Sequence, residues 1–151
     1  IKVGYPSRDA EREIVNRTTG QAGEPITPVL SAEDLAQAQT LARKVPVPDH
    51  VLDFVLDLVR LTRPNEGEVP TYVKQNVGWG AGPRASQMMI LAGKVRALLH
   101  GRTHVTTDDI EALALPILRH RIVPTFHAEA EGLTVDDIIR ELVKMAKTKA
   151  A

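Results

Sequence analysis

Along this chain, helix-opening signals recur, each followed by apolar residues at three- and four-residue spacing, and that recurrence commits the fold to helices. Ser7 can cap a helix running to about Arg17, with Asp9 and Glu11 in its first turns. Ser31-Ala32-Glu33-Asp34 approximates a capping box, and Leu35, Ala38, Leu41 and Ala42 follow on one face. Pro46 and Pro48 end that helix and begin the next, from Asp49 to about Leu61, with Leu52, Val55, Leu56 and Val59 at amphipathic spacing. Pro83 opens a helix whose expected inner stripe is Met88, Leu91, Ala92, Val95 and Leu98 or Leu99, ended by Gly101. Thr106 or Thr107 caps a helix carrying Ile110, Leu113, Ala114, Ile117 and Leu118, which Pro116 should kink or divide. Leu133-Thr134-Val135-Asp136-Asp137 starts the last helix, through about Lys147, with Ile138, Ile139, Leu142 and Met145 inward. Val105 reads as a short extended contact. The fold class is mainly α, a bundle of about six helices, with a short strand over Ile1–Tyr5.

Aromatic residues are 3% of the chain, so the core has to be built from Leu, Val, Ile and Ala. There is no cysteine, which removes disulfides and thiolate metal sites. Nineteen basic and nineteen acidic residues cancel, whereas nucleic-acid binders carry a basic excess or stripe. No apolar run approaches the length of a membrane span, and no signal peptide is visible. The strand-like start lacks neighbours and reads as part of something longer.

One residue stands out chemically. Pro83 at the first helical position puts Arg84 in the first turn, where unpaired backbone N–H groups already make a positive potential. A cation there calls for a nearby anion, and phosphate is the usual biological one. The plainer alternatives are that Arg84 is solvated or pairs with a carboxylate from elsewhere in the fold. Gly78-Trp79-Gly80-Ala81-Gly82 lacks the lysine and hydroxyl of a phosphate loop and reads as a flexible approach to the helix, with Trp79 packing locally. His50, His100, His104, His120 and His127 have no metal-ligand spacing, so no metal site is expected. The basic run Arg119-His120-Arg121 suits a helix C-terminus.

Trp79-Gly80-Ala81-Gly82-Pro83-Arg84-Ala85-Ser86 resembles the lid-helix signature of MoxR-type AAA+ ATPases, in which the arginine is the sensor 2 residue. Ile1–Arg8 resembles the last strand of the ATPase core and its exit, and Pro28–Leu35 the segment that leads into the lid. Pro116–Arg121 and Ala128–Thr134 also match, in family order, so the resemblance covers nearly the whole chain. Gly82 departs from it, since many members have serine there. Walker A, Walker B, sensor 1 and the arginine finger have no counterpart in these residues.

The resemblance implies that residues 1–27 are the end of the AAA+ core and residues 28–151 a C-terminal helical lid. It implies ATP and magnesium in the parent protein, with nothing tightly held by this chain alone, which is expected to hydrolyse no ATP. Arg84, with Pro83 and Gly82, would meet the nucleotide, and Pro6 and Ile14 fall where AAA+ proteins line the adenine. The implied partners are the protein's own core, neighbouring subunits of a homo-oligomeric ring and proteins with von Willebrand factor A domains, in chaperone-like remodelling in the cytoplasm. Neither nucleic acid nor membrane is expected. The competing reading is a helical interaction module with no nucleotide role.

Overall fold

The computed structural model describes residues 3–21, 23 and 25–150, and the chain divides into two compact units, residues 1–37 and 38–151. Ile1 and Lys2 of the expected strand lie outside the described residues, as do Ala22 and Glu24 of the segment the resemblance assigns to the end of the core. Val3, Gly4 and Tyr5 are exposed and form no strand. An isolated strand has no partner for its N–H and C=O groups, so local sequence alone does not hold it.

In the first unit, Ser7 Oγ accepts the Ala10 N–H at 3.3 Å and opens α1 (Arg8–Thr19), which buries none of its residues. Ser31 and Asp34 form the expected reciprocal box. The Ser31 N–H donates to Asp34 Oδ2 at 2.8 Å, and the Asp34 N–H donates to Ser31 Oγ at 3.1 Å. They start α2 (Ala32–Lys44), which continues into the second unit. Of its expected face only Ala42 is buried, while Leu35, Ala38 and Leu41 are exposed. Spacing decides which residues share a face; it does not supply a surface to cover them.

The second unit holds the bundle. Its elements are α3 (Asp49–Leu61), α4 (Thr71–Asn76), β1 (Val77–Trp79), α5 (Pro83–Leu99), α6 (Thr107–Leu118), β2 (Val123–Pro124), α7 (Phe126–Ala130) and α8 (Val135–Ala150). Helices α3, α5, α6 and α8 pack on one another. Val51, Val55, Leu58 and Val59 of α3 meet Ile110 and Leu118 of α6 and Ile138, Ile139 and Leu142 of α8 in an aliphatic core. Each such side chain, fully buried, contributes about 1.5–3 kcal/mol.

Two expected stripes are rotated. On α3, Leu52 and Leu56 are exposed, and Val51, Phe54 and Leu58 join Val55 and Val59 inside. On α5, Met88, Val95 and Leu99 face outward, and the buried set is Ala85, Met89, Gly93 and Ala97. Helix α5 is apolar on more than one side, so its periodicity does not choose a face. Close approach to α6 chooses it. A Cβ at Gly93 would stand 3.0 Å from Val105 Cγ1 and 3.2 Å from Ile110 Cδ1, so small residues line the contact.

The ends of α5 and α6 follow local chemistry. Gly101 takes φ 67°, with the Arg102 N–H on the Ala97 carbonyl at 2.8 Å and the Gly101 N–H on Leu98 at 2.9 Å. Val105 is buried and its N–H reaches the Pro46 carbonyl at 3.3 Å, an extended contact as expected. Pro116 does not divide α6, which ends two residues later at Leu118. The unexpected elements are short. β1 and β2 pair antiparallel, Val77 with Pro124 and Trp79 with Val123, through an irregular register. α4 and α7 bring the described helices to eight.

Candidate functional site

The site is built from the C-terminal end of α3. Thr62 is fully buried, and its Oγ1 donates to the Val59 carbonyl at 2.6 Å and accepts the Ala81 N–H at 2.8 Å. Arg63 Nε donates to the Ala81 carbonyl at 2.9 Å, and Arg63 Nη1 pairs with Glu66 at 2.8 Å. A Cβ at Gly80 would lie 2.2 Å from the Thr62 carbonyl oxygen, a backbone atom, so only glycine fits. The glycine-rich segment expected as a flexible approach is therefore fastened at both polar atoms of Ala81. Trp79, expected to pack locally, is 73% exposed.

From this anchored segment the chain turns into α5. Gly82 is the N-cap with extended backbone, φ −83° and ψ 179°, and Pro83 and Arg84 follow as the first two helical residues. No side chain caps this end, and its first turn contains no acid. Gly82, Pro83 and Arg84 are all exposed. The Ala85 N–H bonds back to the Gly82 carbonyl at 2.9 Å. Among the described residues nothing forms an ion pair or hydrogen bond with the Arg84 guanidinium. A groove of about 380 Å³ lies at the base of the turn, lined by Pro64, Trp79, Gly80, Gly82 and Pro83 among others. The arrangement presents a helix N-terminus and a free guanidinium together, which is chemistry for an anion.

Spacing puts Arg84 four residues before Met88, on the side of the stripe expected to face inward. It lies with Met88 and Val95, and both are exposed. Its charge is solvated in this chain, not forced inward. Pro6 and Ile14 are exposed residues of the first unit, Arg84 of the second. Among the described residues no three His, Asp or Glu gather as a metal site.

The strongest electrostatic feature was not anticipated. At the start of α6, Asp109 is fully buried and grips Arg102 through both oxygens, with Nη1 to Oδ2 at 2.6 Å. The same Oδ2 accepts the Thr106 N–H at 3.0 Å and its hydroxyl at 3.1 Å. Arg96 Nε stands 3.3 Å from Oδ1 without hydrogen-bond alignment. The Arg102 hydrogen bonds hold the Asp109 carboxyl down to about 2, with burial opposing them and Thr106 helping. Sequence spacing placed Asp109 in a first turn but carried no signal for Arg102 as its partner. The basic run after α6 is likewise structural. Arg119 pairs with Asp136 at 2.6 Å, and Arg121 donates to the Ile117 carbonyl.

Residues 69–142 match the AAA lid domain family. They form an AAA lid domain. The matched span runs from the loop before α4 into α8 and contains the whole Gly80–Arg84 segment. The chain is 35% identical over 144 residues to "Chaperone MoxR1" of Mycobacterium tuberculosis, covering 95% of this chain and 38% of that protein. It is 29% identical over 148 residues to "Uncharacterized protein YeaC" of Bacillus subtilis, covering 97% and 43%. A crystal structure from Cytophaga hutchinsonii, named a "putative ATPase", superposes with a TM-score of 0.78 at 26% identity, over 95% of this chain and 44% of that one. These relatives are thus matched over nearly all of this chain, while the chain spans less than half the length of each of them. No described helix is long and apolar enough to cross a membrane.

Proposed function

We propose that this lid senses ATP through Arg84 in a MoxR-type AAA+ ATPase and couples its hydrolysis to remodelling of partner proteins. Residues 1–27 are the end of the ATPase core in this reading, and residues 28–151 the lid. The observation that carries it is the start of α5, exposed, without an acid, and fastened through Ala81 to Thr62 and Arg63. A guanidinium on an anchored turn is already placed for phosphate oxygens, so little ordering cost falls on binding. The residues present fit a polyphosphate anion. Among the described residues no carboxylate pairs with Arg84, and in this reading the metal and the attacking water are held by the rest of the protein. ATP supplies the phosphoryl group; this chain supplies one charge on an anchored turn.

By resemblance the whole protein is a cytoplasmic ring of identical subunits, working with partners that carry von Willebrand factor A domains. The test is Arg84→Ala in the full-length protein. Steady-state hydrolysis should fall about 10²-fold, the scale of a lost transition-state arginine. Unchanged turnover with intact folding would remove the nucleotide role and leave the interaction module.

A further inference from the structure

The outer face of α5 carries Met88, Leu91 and Val95 at three- and four-residue spacing, with Leu99 beyond them at 81% exposure. Met88 to Leu99 spans about 16 Å of helix, three turns. Two grooves flank this ridge and share Leu91. One lies toward Arg43 and Lys94, the other toward Pro116, Ile117 and Arg121. Neither groove is lined by any aspartate or glutamate. Helix α5 itself contains no acidic residue, although the chain as a whole is neutral. Lys94 Nζ is satisfied by the Arg43 carbonyl at 2.9 Å and Arg121 by that of Ile117, so both cations are held at the groove edges without a carboxylate partner among the described residues.

We propose that this face docks an amphipathic helix with acidic flanks, contributed by another polypeptide. Heptad-like spacing on a straight ridge is what a second helix packs along. Cations on both sides of the ridge select carboxylates at the flanking positions of that helix and reject lysines. The proposal goes beyond the nucleotide reading: Arg84 opens the same side of α5, but the docking rests on Met88, Leu91 and Val95 with Lys94 and Arg121 at the edges.

The test uses the full-length protein and two synthetic helical peptides with leucines at the same spacing, one flanked by glutamates and one by lysines. Fluorescence anisotropy should find the glutamate peptide bound at least about tenfold tighter, with the preference shrinking as salt rises. The double variant Lys94→Glu with Arg121→Glu should reverse the preference, and Leu91→Ser should weaken both peptides while the melting temperature holds. Hydroxyl-radical oxidation of Met88 should be suppressed by the glutamate peptide. Equal binding of the two peptides, no binding of either, or a preference unmoved by charge reversal would overturn the proposal. So would protection of Met88 before any peptide is added, since the protein's own core or a neighbouring copy would then already cover the face.

Discussion

Two helices of the lid, α5 and α6, begin in opposite ways. At α6 the positive end is closed from within, because Asp109 sits under it, accepts from Thr106 and locks Arg102 in place. At α5 the end is left open, with glycine as cap, proline without an N–H, and an arginine that adds to the positive potential. The first arrangement uses its charges up in holding the bundle together. The second leaves charge unsatisfied on a turn that the bundle nonetheless fixes through Ala81. The two termini therefore differ in where their counter-charge comes from: inside the bundle at α6, and outside it at the α5 start that we propose meets phosphate.

That contrast is broken most severely at Asp109. Asp109→Ala should cost about 3–5 kcal/mol of unfolding free energy, since it strands a partly buried Arg102. Arg84→Ala should change stability by less than about 0.5 kcal/mol, as surface substitutions do. Urea unfolding of the two variants compares them directly, and a large loss at Arg84 would mean that its charge is structural after all. Gly80→Ala should cost about 3 kcal/mol, because the new Cβ must push the Thr62 carbonyl or the whole turn aside. In the full-length protein it should also weaken nucleotide binding by detaching the α5 start, which isothermal titration with ATP would read.

Acid should undo α6 and spare α5. The Asp109 carboxyl is lowered from 3.8 to about 2 in the folded chain, so the folded state binds fewer protons than the unfolded one in that interval. Its contribution is complete above about pH 4 and fades as pH falls toward 2, amounting to about 2 kcal/mol. Asp34 and Asp137, lowered by their Ser31 and Thr134 hydrogen bonds, act with the same sign. Unfolding curves between pH 5 and 2 should lose much of their slope in Asp109→Asn and keep it in Arg84→Ala.

What could be read from the sequence was what is settled within a few residues. Ser7, Ser31 and Thr134 cap where their spacing to an N–H three positions on requires, and Gly101 ends α5 for the same local reason. The open terminus at Arg84 was legible on these grounds too. Its anchorage was not, because Thr62 and Ala81 are nineteen residues apart and no periodicity links a helix end to a later turn. The facing of α5 failed for a related reason. Its outer stripe is the more apolar, yet the approach of Val105 and Ile110 at Gly93 leaves no room for a larger residue there and turns that stripe outward. α4, α7 and the two strands are too short to carry a period at all.

The smallest effect tests the open terminus by closing it. Gly82 has φ −83°, which any residue adopts, and a Cβ there would meet nothing within 4 Å. Gly82→Ser should therefore place a hydroxyl where it can accept a first-turn N–H, giving α5 the kind of cap that α2 and α8 already have. Because glycine is itself a tolerable cap, the gain should be only about 0.3 kcal/mol, a rise of one or two degrees in melting temperature. ATP turnover of the full-length protein should stay within about twofold if, as proposed, the guanidinium of Arg84 and not the bare N–H groups carries the charge that the phosphate meets. If turnover instead fell as far as in Arg84→Ala, the backbone donors of the first turn would be the ligand, and the arginine only their neighbour.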